Sequence, residues 1–165
     1  MCIRDSLAIV GPNASLGAVP AAQVAEEAKT LLITPWGSAP RVTMDDAGAP
    51  RKWVYRACFT DAFQGKALAK FTSGYIKATK IAILFNSSSE APKSQAELMK
   101  KEVEARSGQV VAFESYAAGE KDLSGQWKRI AESAPDLVFL PSYYSEVPEQ
   151  VRQARAAGVK APFLG

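Results

Sequence analysis

Two serines, Ser15 in "PNASLG" and Ser38 in "PWGSAP", each follow a short apolar run by a few residues. There a hydroxyl and its neighbouring amides can point at a carboxylate. Ser15 precedes a helix expected to start near Pro20, and Gly17 permits close backbone approach, so the stretch suits an anion at a helix N-terminus. The alternative is that both serines cap turns, as Ser commonly does. Phosphate is a poorer match, because "GPNASLG" carries no Lys-Ser/Thr pair and nothing follows the G-x-G-x-x-G pattern. A serine nucleophile is poorer still: the G-x-S-x-G turn is missing, and the sequence has no histidine to activate a hydroxyl. The lack of histidine also removes most zinc sites, and Cys58 stands alone once Cys2 is set aside, so neither a disulfide nor a metal or other cofactor is expected.

Other loops carry similar chemistry. "KIAILF" runs into "NSSSEAPKS", with Glu90, and "DLVFLP" runs into "SYYSEVP", with Tyr143 and Tyr144. These stretches are rich in hydroxyl, amide and aromatic groups and poor in charge, a lining that suits a small polar or zwitterionic ligand. Tyr143 and Tyr144 read equally as rim aromatics. Trp53 and Trp127 read as packing residues, Asp61 as a helix N-cap, and Gln64 as a brace at a hinge.

The elements that must position these loops alternate regularly. Apolar runs of about five residues, "LAIVG", "TLLIT", "KIAILF", "QVVAFES", "DLVFLP" and "APFLG", read as parallel strands buried on both faces. Between them, helical spacing predicts helices over 20–30 (Ala21, Val24, Ala25, Ala28 inward), 62–77 (Phe63, Ala67, Phe71, Tyr75), 93–107 (Ala96, Met99, Val103), 123–133 (Leu123, Trp127, Ile130) and 147–157 (Val147, Val151, Ala154). This is the pattern of an α/β fold with parallel sheets, whose ligands bind beyond the carboxyl ends of the strands. The interval 35–61 breaks the rhythm and reads as a functional loop followed by a strand, "KWVYRACF", that leaves one lobe for another.

Composition sets outer limits. Hydrophobic residues are 47% and charged residues 22% of the 165, as in ordinary globular proteins, and no apolar run has the length of a membrane-spanning helix. The net charge of +3 is spread along mixed-charge helical stretches such as "MKKEVEAR", which reads as solvated helix faces and not as a nucleic-acid footprint. The opening "MCIRDS" back-translates to the mosaic end of a transposase adaptor used in DNA libraries. Residues 1–6 are therefore taken as an adaptor-like scar and excluded from fold reasoning. The net charge is unchanged, because Arg4 and Asp5 cancel.

In order and spacing, "LLITPWGSAP", "VYRACFTDAFQGKALAKF" with its Asp-x-x-Gln-Gly turn, "KIAILF", "AGEKDLSGQWKRI" and "VRQARAAGVKAPFLG" resemble the type I periplasmic binding proteins of the branched-chain amino acid transport group. The resemblance runs from Leu7 to Gly165. It implies two α/β lobes, both incomplete here: residues 7–58 in the first, a hinge crossing at 59–61, and 62–165 in the second. It implies no catalysis and a non-enzymatic solute receptor of an ABC importer. That receptor would act outside the cytoplasm, follow a signal peptide, be monomeric when complete, and hand a neutral amino acid or related carboxylate to a membrane permease. By position, Ser15 and Ser38 match the carboxylate-binding hydroxyls, Trp36 the residue whose carbonyl accepts the ligand ammonium, and Tyr143 the tyrosine that closes over the ligand. Trp36 is larger than the small residue usual there, and Glu90 stands where many members carry Tyr. The acid that pairs with the ammonium is expected beyond Gly165. A sensor domain of the same fold, for amides, urea or aromatic acids, and a flavodoxin-like or Rossmann-like enzyme domain remain as alternatives.

Overall fold

The computed structural model describes residues 6–165, so the adaptor-like stretch falls, apart from Ser6, outside the described residues. Two compact units part between Phe63 and Gln64.

The first unit holds β1 (Ala8–Val10), α1 (Ser15–Glu27), β2 (Leu31–Thr34), a 3-10 turn at Pro40–Val42, and β3 (Val54–Arg56). Its sheet runs β1-β2-β3, every pair parallel. The strand within "KWVYRACF" thus pairs with β2 inside this unit before the chain moves on. Helix α1 starts five residues before Pro20, a correction to the expected start. Ser15, Ala18, Ala22 and Ala25 are its buried residues, a stripe at helical spacing that continues through the second turn. Pro20 lies inside the helix on its exposed side, where it removes one backbone donor, and the buried alanine stripe carries the helix through it. Of the four residues expected inward, only Ala25 is fully buried. The long interval after β2 is tied down by two carboxylates: Asp45 accepts the N–H groups of Ala47 and Ala49, and Glu26 accepts those of Lys52 and Trp53, all within 3.0 Å.

Helix α2 (Asp61–Phe71) begins with Thr60 as its cap, since the Thr60 hydroxyl accepts the Phe63 N–H at 3.2 Å. Asp61, expected as the cap, is instead the first helical residue and is fully buried. The aromatic stripe predicted to face inward faces out: Phe63, Phe71 and Tyr75 are exposed. The buried face consists of small residues, Gly65, Ala69 and Thr72. A Cβ on Gly65 would stand 3.2 Å from Leu98 Cβ, so the helices approach as closely as a glycine allows. The helix also ends early. Thr72–Ile76 form a π turn in which the Thr72 and Ser73 hydroxyls donate back to the Leu68 and Ala69 carbonyls, and Lys77 closes it in the left-handed region.

The second unit continues with β4 (Lys80–Asn86), α3 (Glu90–Glu104), β5 (Gln109–Tyr116), α4 (Ser124–Glu132), β6 (Leu137–Phe139), α5 (Val147–Ala156) and β7 (Phe163–Leu164). Its parallel sheet runs β5-β4-β6-β7. Strand β4 feeds two cores by strict alternation. Ile81, Ile83 and Phe85 pack with Ala96, Met99 and Val103 of α3, while Ala82 and Leu84 pack with Trp127, Ile130 and Ala154 of α4 and α5. The central strands β4 and β6 are buried on both faces as expected, whereas β2 is buried on one face and half-buried on the other. Edge strands β1 and β5 are not buried on both faces, because each lacks a neighbour on one side among the described residues.

At the amino ends of β4 and β6 the Asp136 carboxylate accepts the Lys80 N–H (2.9 Å), the Thr79 N–H (2.9 Å) and the Thr79 hydroxyl (3.0 Å). These bonds, the backbone ones foremost, hold its carboxyl below the usual aspartate value. A depressed native value gives stability that is complete above the unfolded-state pKa and is lost as pH falls through the native one. Asp136→Asn should therefore flatten the acid limb of the stability curve. Urea midpoints at pH 6 and pH 3 should fall further for the wild type than for the variant.

Candidate functional site

The carboxyl ends of β1 and β2 bring the first-unit candidates onto one framework. Thr34, the last residue of β2 and fully buried, donates its hydroxyl to the Pro12 carbonyl at 2.7 Å and accepts the Gly37 N–H at 2.9 Å. Gly37 has no room to be anything else, because a Cβ would stand 2.8 Å from Thr34 Oγ1 and 2.9 Å from its Cγ2. Ser15 opens α1 and accepts the Ala39 N–H on its Oγ at 3.2 Å, so the two strand-end loops are joined through its side chain. A serine hydroxyl has one proton and two lone pairs. The Ala39 bond uses one lone pair and leaves the proton available to a carboxylate.

Ser38 follows with its carbonyl accepting the Asp61 N–H at 3.1 Å. Both serines are buried, 2% and 7% exposed. Trp36 projects instead, 64% exposed, its ring edge-on to Phe59 with centroids 6.1 Å apart, and Phe59 in turn meets Phe63 at 6.4 Å. These three rings form an aromatic wall beside the loop.

Two residues missed in the sequence fix this loop. One is Thr34; the other is Arg56, on β3. The Arg56 guanidinium donates to the Gly37 carbonyl at 2.8 Å, the Thr43 hydroxyl at 2.5 Å and the Pro40 carbonyl at 3.4 Å. Burial holds its pKa below the ordinary arginine value, while nearby Cys58 and Asp61 pull it back up. The signal available was slight: a polar residue at the last position of each strand, beside a loop whose carbonyls need donors.

In the second unit, β4 ends at Asn86, whose side-chain oxygen accepts the Ser88 N–H and whose amide donates to Glu146 at 3.3 Å. Glu90 is the first residue of α3, where a negative charge meets the positive end of the helix. Tyr143 is 40% exposed after β6, its N–H donating to Glu146 at 3.4 Å, and Tyr144 is 92% exposed. Gln64 accepts the Gln95 amide at 3.3 Å and so links α2 to α3. Trp127 is fully buried, as packing residues are; Trp53 is 38% exposed. Among the described residues no cluster of His, Cys, Asp and Glu is arranged to hold a metal ion, and no helix is long and apolar enough to cross a membrane. In the first unit the arrangement offers a hydroxyl proton from Ser15, a serine beside it, a rigid backbone turn and an aromatic wall, which together suit a small carboxylate.

Residues 4–165 match the profile of a family described as periplasmic binding protein. A Leu/Ile/Val-binding protein from Citrobacter freundii is 31% identical over 157 residues, covering 95% of this chain and 41% of the relative. The crystal structure of a leucine-binding protein from Thermotoga maritima superposes with a TM-score of 0.85 at 28% identity, over 95% of this chain and 43% of that one. A branched-chain amino acid transporter substrate-binding protein from Streptococcus pneumoniae, solved with isoleucine, gives 0.80 at 28% identity, over 94% and 42%. The chain thus spans about two fifths of the length of the relatives it matches. Its α/β architecture is that of the type I binding proteins. With the family profile running over almost all of its length, and with the architecture of the type I members, the chain belongs to the periplasmic binding protein family.

Proposed function

We propose that the protein to which this chain belongs is the substrate-binding component of an ABC importer and takes up a neutral, branched-chain-like amino acid or a related small carboxylate. The observation that carries this reading is the Ser15 hydroxyl: it is fixed through Ala39, keeps its proton, and stands with Ser38 at the strand ends of one unit. Trp36 serves as the wall for the ligand's side chain and offers its backbone carbonyl to the ammonium. Tyr143 and Glu90 are the contributions assigned to the second unit by family position. In this reading the protein is a receptor and not an enzyme. It works in the periplasm and delivers its solute to a membrane permease. The Streptococcus pneumoniae relative bound to isoleucine supports the ligand class.

A thermal-shift panel on the full-length protein tests this, with leucine, isoleucine, valine, small aromatic acids and the corresponding amides. Acids should stabilise it and amides should not, because an amide lacks the charge that strengthens the serine bonds. Trp36→Ala should reorder preference among side chains while keeping the demand for a carboxylate. If amides stabilise as well as acids, Ser15 and Ser38 are turn caps and the assignment fails.

A further inference from the structure

Tyr143, a contact assigned to the second unit by family position, is 40% exposed, and no hydrogen bond among the described residues holds its hydroxyl. The ring's place is set by the backbone that carries it, and that backbone is closed in a reciprocal turn. The Tyr143 carbonyl accepts the Glu146 N–H at 2.9 Å and the Val147 N–H at 3.2 Å. The Glu146 carboxylate reaches back and accepts the Tyr143 N–H on its Oε2 at 3.4 Å. This is the acidic half of a capping box, in which a carboxylate three residues on satisfies the amide that opens a helical turn. Tyr143 thus opens the turn that leads into α5.

The same carboxylate also reaches a neighbouring strand. Its Oε1 accepts the Asn86 amide at 3.3 Å from the end of β4, while the Asn86 Oδ1 is engaged by the Ser88 N–H at 3.0 Å. From the end of β5, the Tyr116 hydroxyl lies 3.4 Å from that of Ser142, the residue before Tyr143. Three strand ends therefore meet at this turn, and Glu146 joins two of them. An ionised carboxylate accepts on both oxygens and carries no proton, which matches two donors arriving from two elements. We propose that Glu146 is a positioning residue for ligand binding: it ties the Tyr143 backbone to the end of β4 and so holds the Tyr143 ring in place for the ligand. This rests on the ligand contact proposed above for Tyr143.

In the ligand-free full-length protein, hydrogen exchange at the Tyr143 amide reads the tether, and calorimetry with leucine reads its effect on binding. Glu146→Ala should speed the exchange and weaken leucine binding, each by about threefold to tenfold, as for loss of one or two modest hydrogen bonds. In a Tyr143→Ala background the same change should cost no further affinity, because Glu146 acts through that ring. Asn86→Asp sets a second carboxylate against the first and should act like Glu146→Ala. Adding Glu146→Gln to it should restore both readings, since the exchanged pair bonds again with donor and acceptor reversed and the glutamine oxygen still accepts the Tyr143 N–H. Ser145→Ala, an exposed change in the same turn, should alter neither. If circular dichroism shows that Asn86→Asp, at a buried position, does not fold, Glu146→Ala carries the test. Unchanged exchange in Glu146→Ala, unchanged leucine affinity there while Tyr143→Ala weakens it, or losses that add in the double variant overturn the role of Glu146 alone. Wild-type affinity in Tyr143→Ala overturns the ligand contact itself, and the positioning role with it.

Discussion

Trp127→Ala should lower the stability of the second unit by about 3–5 kcal/mol, the range for truncating a large aromatic in a packed core. Trp127 on α4 is fully buried against Ala82, Leu84 and Ile130 and meets Phe163 edge-on, centroids 6.2 Å apart. It also bridges β7, at the edge of the sheet, to α4, so its loss opens a void that no single neighbour fills. Its indole N–H is buried with no hydrogen-bond partner. That makes Trp127→Phe the informative companion: it removes some volume but also removes an orphaned donor, so its cost should fall well below that of alanine. Urea unfolding followed by far-ultraviolet circular dichroism measures both. An alanine variant within about 1 kcal/mol of wild type would show that α4 repacks freely, contrary to the close packing described.

Ser15→Ala should produce two separable losses, because one oxygen serves two partners in the proposed site. Removing the acceptor leaves the Ala39 N–H unpaired in a buried position, at a cost of about 1–3 kcal/mol in stability with no ligand present. Removing the proton takes away a charge-assisted bond to the ligand carboxylate, weakening binding by about 1.5–3 kcal/mol, or roughly tenfold to 150-fold. Chemical denaturation of the ligand-free full-length protein reads the first loss, and calorimetry with leucine reads the second. A drop in stability with unchanged leucine affinity would make Ser15 a joint between two loops and nothing more.

How much of this was legible in the sequence depended on what each residue's neighbours are. The strand-helix alternation and the β4 run were readable because "KIAILF" is apolar at every position after Lys80, as a strand buried on both faces requires. The inward face of α2 was not, because aromatic residues at helical spacing dominate the hydrophobic pattern, while its real contact surface is made of glycine, alanine and threonine that weigh little in such a pattern. Helix α1 was cut short in the reading because Pro20 was placed in the first turn, yet the helix runs through it, carried by the buried stripe of Ser15, Ala18, Ala22 and Ala25. Ser15 and Ser38 could be singled out by type and place. Thr34 and Arg56 could not, since the bonds that give them importance run to backbone groups 22 and 19 residues away in the chain.

The strand-end framework also bears on how the proposed receptor can diverge. Thr34, Gly37, Ser15 and Arg56 each answer to several neighbours at once, so most replacements there are eliminated for misfolding before any new ligand is sampled. Trp36 meets Phe59 ring to ring but stands largely in solvent. Drift at that position is cheap in folding terms and lands on the proposed ligand wall, so a duplicated gene could acquire a new diet through a single codon while inheriting the rest of the grip intact.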